Sequence, residues 1–313
     1  MVDVLTAGEA MGAFRADGLV RLGARARISI AGAEANVAIG LARLGHAPRW
    51  VGVVGTDQLG ALVLRTLRAE GVDVSAVRTD EAPTGVIVFE ERLAGVARVD
   101  YHRYGSAGSL LSPHDLLDAW EPPPRVLHVT GLTMAIGDGP ARTVRAGVRA
   151  ARERGVRVCL DVNHRARLWT SAQARQALVP LADALDVVIA SEDELGLVAP
   201  DGDDVRTHVE SLLESGVDQV VVKLGADGAT AYTRDGSVHL PARPVTPVDP
   251  IGAGDAFVAG YLSGLLDGLA VPERLALAVT TGAFVVATAG DWEGLPSRDE
   301  LGLLDLQPGA VLR

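Results

Sequence analysis

Short β-branched runs alternate with longer Ala/Leu/Arg stretches, and this alternation constrains the fold of the chain more than any other feature. Val2–Ala7, Trp50–Val54, Val126–Val129, Val156–Asp161, Val187–Ala190 and Gln219–Lys223 are continuous apolar runs of strand length, the pattern of strands buried on both faces. Between them, Ala35–Leu44, Leu59–Glu70, Pro140–Arg154 and Ser171–Leu181 carry apolar residues at helical spacing. Alternation of this kind predicts an α/β fold, a doubly wound, mainly parallel sheet with helices on both faces. A chain of 313 residues, 48% hydrophobic, is long enough to bury such a core.

Two regions break the rhythm. Phe14–Ile30 and Gly85–Tyr104 alternate residue types with no helix between, and the second predicts a hairpin turning at Ala94-Gly95. Neither fits a βαβ layer, so about 12–31 and 84–105 are assigned to a small β-lid beside the sheet. One α/β domain over 1–313 with this excursion accounts for the chain better than two domains do. The proline run Glu121–Pro124 marks a loop before the next central strand.

A net charge of −11 argues against nucleic acid or an anionic membrane as partner, since an acidic surface repels both. Cys159 is the only cysteine, which excludes an intrachain disulfide and a thiolate metal cage. Its apolar setting, R-V-C-L-D, predicts a buried, inert thiol. The seven histidines show no metal-ligand spacing, so no protein-caged zinc or iron is expected. The chain enters a strand-like run directly from Met1, without a basic leader, and no apolar stretch approaches the roughly 18 residues of a membrane span. A cytoplasmic location is expected.

The chemistry concentrates at Val248–Gly260, which reads V-D-P-I-G-A-G-D-A-F-V-A-G. Gly252, Ala253 and Gly254 stand just before a helical pattern, where glycines let backbone N–H groups approach an anion and the helix dipole adds to the attraction. Such a site suits a phosphoryl group in flight. Asp255 would repel a resting phosphate, and its useful role is to accept a proton from an attacking hydroxyl. A plain helix cap on a tight turn explains the same residues equally well. The run is not the dinucleotide fingerprint, because Phe257 stands where the third small residue belongs, and it lacks the Gly-Lys-Ser/Thr of a Walker loop.

D-P-I-G-A-G-D-A-F resembles the C-terminal signature of the ribokinase (PfkB) family of carbohydrate kinases. A-G-A-E-A-N-V-A-I-G-L-A-R-L-G, followed by H-A-P-R-W-V-G-V-V-G, resembles the family's N-terminal signature, with Asn36, Ala38, Gly45 and Gly55 in place. Glu34 departs from it, at a position where a small residue is usual. The resemblance implies a ribokinase-like α/β domain with a β-sheet lid, and ATP with Mg2+ as phosphoryl donor. It implies Asp255 as base and the amides of Gly252, Ala253 and Gly254 as anion hole. Asn163, Ser191, Glu194, Lys223, Gly225 and Gly228 fall on the nucleotide side. Glu194 would reach magnesium indirectly through the phosphates, with Ser191 standing where the family usually has Asn. A capping box, Ser191 with Glu194, is the alternative reading. Asp249 is placed beside a monovalent cation, K+, by analogy only. Val279 stands where many members carry an adenine-side Asn.

The residues also bear on the acceptor. The position near Ala13, where members that bind polyhydroxylated rings tend to carry an Asp, is small and apolar, which weakens ribose and nucleoside readings. Tyr101-His102-Arg103-Tyr104-Gly105-Ser106-Ala107 and Asp161-Val162-Asn163-His164-Arg165, with Leu168-Trp169, resemble motifs of the 2-keto-3-deoxygluconate kinase branch. A planar guanidinium holds a carboxylate by charge-assisted bonds, so Arg103 is the expected sugar-acid clamp and Arg165 contacts substrate or phosphate. Gly32, Asn36, Tyr101 and Asp291 are expected at the substrate, while Ile87 departs from relatives that offer a Tyr. The leading expectation is phosphorylation of the 6-hydroxyl of 2-keto-3-deoxygluconate. A fructokinase-like or other sugar kinase is the alternative, with a non-catalytic sugar-acid-binding protein further off. The lid's exposed strand edges predict a homo-oligomer.

Overall fold

A computed structural model describes residues 2–93 and 96–306, with residues 91–93 and 96–97 described by their backbone alone. The strands in chain order are β1 (Val4–Ala7), β2 (Met11–Ala16), β3 (Ala26–Ala31), β4 (Pro48–Val51), β5 (Val53–Gly55), β6 (Arg78–Asp80), β7 (Val86–Leu93), β8 (Val96–His102), β9 (Val126–Thr130), β10 (Arg157–Asp161), β11 (Val187–Ser191), β12 (Gln219–Lys223), β13 (Ala229–Thr233) and β14 (Gly236–Leu240). Eight of them form the main sheet in the order β14-β13-β12-β11-β10-β9-β1-β4. Pairing is parallel from β4 through β12, and β13 and β14 close that edge as an antiparallel hairpin.

Successive residues of the central strands enter opposite cores. Leu5, Leu127 and Leu160 pack with Val144 and Val148 of the Asp138–Arg154 helix. Val4, Val126 and Cys159 pack with Tyr261, Leu262 and Leu275 of the Ala253–Leu266 and Val271–Val286 helices. Burial on both faces is why these strands read as unbroken apolar runs, each buried Leu or Ile contributing about 1.5–3 kcal/mol. Cys159 is fully buried, and that burial pushes its thiol pKa up.

Two boundaries differ from the expected ones, and one element was not expected. Trp50–Val54 is not one strand: Gly52 separates β4, in the main sheet, from β5, which pairs with β6. A Cβ at Gly52 would lie 2.3 Å from the Trp50 ring, so the chain turns where only glycine fits. The helix from Ser171 ends at Leu178 and continues as a 3₁₀ turn, because Pro180 has no N–H for the next helical bond. The hairpin β13–β14 escaped the sequence reading, since its outer strand is largely solvent-facing and carries no apolar run.

A second sheet, β3-β2-β7-β8, stands over the carboxyl ends of the main strands. Its strands run through the two regions that broke the strand–helix rhythm; the turn expected at Ala94-Gly95 lies outside the described residues. Arg15 of β2 is joined to Asp249 at 2.8 Å, and Ile30 O of β3 accepts from Trp292 Nε1 at 3.2 Å, tying this sheet to the main body. Among the described residues no helix is long and apolar enough to cross a membrane.

Candidate active site

Parallel strands deliver their C-terminal residues to one edge of the sheet, where open α/β sheets bind ligands. Asp161 ends β10, Ser191 ends β11 and Lys223 ends β12. Facing them are the start of the Ala253–Leu266 helix and the underside of the second sheet. Together they enclose a cavity of about 400 Å³, lined among others by Gly32, Asn36, Tyr101, Arg103, Asn163, Arg165, Ser191, Glu194, Lys223, Gly252, Gly254, Asp255 and Asp291.

Gly252 caps the helix with φ 79°, in the left-handed region that favours glycine. A Cβ there would also fall 1.9 Å from the Asp291 carbonyl oxygen. The Ala253 N–H donates to Pro250 O at 3.3 Å, whereas Gly252 and Gly254 have no backbone acceptor among the described residues. Those two amides, with the helix dipole behind them, offer an anion site opening on the cavity.

The Ala33–Arg43 helix packs closely on the Ala253–Leu266 helix, because Gly40 leaves no room for a Cβ beside Ala259. That approach brings Asn36 to the acids. Its Nδ2 donates to Asp255 Oδ2 at 2.8 Å and to Asp291 Oδ1 at 3.0 Å, while its own Oδ1 is buried without a partner. Burial raises Asp255 to about 6; nearby Asp161 adds to the rise, and the Asn36 bond, Arg165 and Lys223 oppose it. Burial and the neighbouring Asp255 raise Asp291 to about 7. Asp255 is therefore a buried carboxyl at a helix N-terminus, tuned toward neutrality, as a general base requires.

The cations are arranged less simply than expected. Arg103 Nε donates to Glu9 Oε2 at 2.7 Å and its Nη2 lies 2.5 Å from the same oxygen, so one edge of the expected clamp is already taken by the chain's own carboxylate. Arg165 is exposed, and its side chain's one hydrogen bond among the described residues is a 3.4 Å contact to the His164 carbonyl. Lys223 Nζ donates to buried Asp161 at 2.8 Å. Burial pulls the Lys223 pKa down, but Asp161, Glu194 and Asp255 outweigh it and hold the ammonium above its usual range. This amine sits beneath the helix start, 3.9 Å from where a Gly254 Cβ would be, rather than out along a strand edge.

Glu194 is engaged in the capping arrangement. Its Oε2 accepts from the Ser191 N–H at 2.9 Å and its Oε1 from the His164 N–H at 2.7 Å, while Ser191 Oγ donates to Asp193. Those bonds fix the loop holding Asn163, which takes a left-handed φ of 41° that Asn tolerates. Asp249, expected beside a monovalent cation, is joined to Arg15 at 2.8 Å. Gly225 and Gly228 lie outside the cavity, at the turn beyond β12. Val279 is buried among Phe257, Ala229 and Tyr261, so it offers an adenine no polar contact.

Glu9 and Asp161 of the cavity were missed as site residues, as was Arg15, which bonds Asp249 outside it. Asp161 ends an apolar run with a charge, which was a usable signal; Glu9 and Arg15 carry none, because their partners lie 94 and 234 residues away. The odd Glu34 is accounted for. Its buried carboxyl accepts from the Thr130 and Thr133 hydroxyls, and Gly8 makes room for it.

Comparison with known proteins agrees with this architecture. The family model "pfkB family carbohydrate kinase" matches residues 3–298. The chain is 35% identical over 311 residues to 2-dehydro-3-deoxygluconokinase of Bacillus subtilis, covering 96% of this chain and 94% of that protein. It is 36% identical over 283 residues to a fructokinase of Klebsiella pneumoniae, covering 86% and 90%. The crystal structure of a PfkB protein from Polaromonas sp. JS666 superposes with a TM-score of 0.86 at 37% identity, covering 96% of this chain and 99% of that one. With both signatures converging on one cavity and a family match over nearly its whole length, this chain belongs to the pfkB family and is a carbohydrate kinase, transferring a phosphoryl group to an alcohol group.

Proposed function

We propose that this kinase phosphorylates the 6-hydroxyl of 2-keto-3-deoxygluconate (2-dehydro-3-deoxygluconate) with ATP as donor. Asp255 takes the hydroxyl proton as the sugar oxygen attacks the γ-phosphorus, and the bond from phosphorus to the ADP oxygen breaks. The amides of Gly252 and Gly254 hold the charge on the transferring group, that of Ala253 being engaged by Pro250 O, with Lys223 below them as counter-charge. Gly32, Asn36, Tyr101 and Asp291 contact the sugar, and Arg103 and Arg165 receive its carboxylate. Asn163, Ser191, Glu194, Gly225 and Gly228 line the approach of the nucleotide. Among the described residues no group of three or more His, Cys, Asp or Glu is placed to hold a metal. Magnesium would therefore be carried by ATP phosphates and water, where it neutralises phosphate charge.

One observation carries the proposal: a buried aspartate at a helix start with open amides shares its cavity with two arginines. The sugar-acid kinase from Bacillus subtilis among its relatives supports the same choice. A fructokinase-like activity is the second reading, favoured by Glu9, whose carboxylate already offsets the charge of Arg103. Turnover on the keto-deoxy acid, fructose and ribose separates the two. Preference for the acid by tenfold or more in kcat/KM is expected, and equal rates on neutral sugars would overturn the carboxylate argument. A cytoplasmic location and a homo-oligomer form part of the proposal. Exposed Leu22 and Ile28 at the second sheet support the latter.

A further inference from the structure

Glu9 has no part in the transfer chemistry, yet it is among the most enclosed charges in the molecule, 3% exposed. It follows β1 and lines the substrate cavity. One carboxylate oxygen receives both Nε and Nη2 of Arg103, at 2.7 and 2.5 Å. The other accepts from the Ser106 hydroxyl. Two glycines shape the slot around it: a Cβ at Gly85 would lie 2.7 Å from Glu9 Oε1, and one at Gly108 would lie 2.3 Å from its Cγ. The carboxylate is thus bonded by one stretch, residues 103–106, and bounded by Gly85 and Gly108, and it holds the guanidinium by its side edge.

An arginine gripped on the Nε–Nη2 edge keeps its end, Nη1 and the outer Nη2 hydrogen, for another acceptor. Arg103 Nη1 has no protein acceptor among the described residues. We propose that Glu9 is the positioning residue for substrate recognition, fixing the plane of Arg103 so that its free end meets the carboxylate of the sugar acid. The pair is close to neutral, so Arg103 contributes direction more than charge, and the exposed Arg165 supplies the uncompensated positive charge. Glu9 acts through Arg103 and needs no contact with the substrate. The proposal rests on Arg103 as the sugar-acid clamp.

The test compares Glu9→Gln, Arg103→Ala and the double variant in steady-state kinetics with 2-keto-3-deoxygluconate, measuring the KM of ATP and the melting temperature alongside. Glu9→Gln is expected to raise the KM for the acid by about tenfold, to leave kcat within about threefold and to leave the KM for ATP unchanged. In the Arg103→Ala background it should add nothing. An unchanged or lowered KM in Glu9→Gln, or effects that multiply in the double variant, would overturn the positioning role while leaving the clamp intact. If Arg103→Ala leaves the KM for the acid alone, or the acid is not turned over, the clamp reading fails and this proposal with it. Should Glu9→Gln fail to fold, Ser106→Ala removes only the anchoring hydroxyl, and a smaller rise in the same KM is expected; no rise would count against the proposal.

Discussion

Asp255 and Asp291 share a single amide nitrogen, that of Asn36, and among the described residues neither has a cation in contact. Buried carboxyls held this way titrate as a pair and above the ordinary range. With Asp255 as the proposed base, active as the carboxylate, kcat is expected to rise with pH through about 6 and level off above it, measured at saturating substrates. Asp255→Asn is expected to lower kcat by roughly 10²–10⁴-fold; retention of most of the turnover would remove Asp255 as base. The stability consequence has the opposite sign. Both aspartates bind protons more tightly folded than unfolded, so the stability from that protonation is complete below about pH 4 and is lost as pH rises through 6 to 7. Asp291→Asn should therefore be more stable than the parent at pH 8, by on the order of 2–4 kcal/mol, and equal it near pH 4. Thermal melts at both pH values check this. The identities of these three residues were legible in the motifs. Their shared hydrogen bond was not, because Asn36 and Asp255 lie 219 positions apart.

The start of the Ala253–Leu266 helix carries two demands on one residue. Gly252 must adopt a φ of 79° and must leave room for the Asp291 carbonyl. Gly252→Ala is expected to cost about 1–3 kcal/mol in backbone strain, before the displacement of Asp291 is counted. A fall in melting temperature together with loss of turnover is the expected result; a variant with full activity would show that the amides need not stand where they do. Helix and strand cores were readable because hydrophobic periodicity reports burial directly. Their ends were not, since Gly52 and Pro180 act through local geometry, and the β13–β14 hairpin buries too little on its outer strand to leave an apolar trace.

At the scale of the molecule, the second sheet closes the cavity over the main sheet, and few side chains fasten it: Arg15 to Asp249, Ser29 to Glu293, Trp292 to the Ile30 carbonyl and Arg167 to the Val99 carbonyl. The Leu22 and Ile28 side chains it presents to solvent are 105% and 58% exposed. Such apolar surface is expected to meet a second copy of the chain. Sedimentation should give a mass above the 32.5 kDa of one chain. Leu22→Asp with Ile28→Asp should return it to that mass, and a parent that sediments as a monomer at micromolar concentration would refute the oligomer.

The layer architecture and the placing of the Gly252–Asp255 run at a helix start were readable from the linear string, because short-range periodicity and local backbone chemistry carry them; the family was readable only through the resemblance of the two signatures. The tertiary structure alone decided which charges meet: Glu9 on Arg103, Arg15 on Asp249, Asp161 on Lys223, and Asn36 between two acids. Each of those partnerships forms only when strands and helices distant in sequence close on one cavity. There, low dielectric makes a nearby charge or hydrogen bond the factor that sets protonation and orientation.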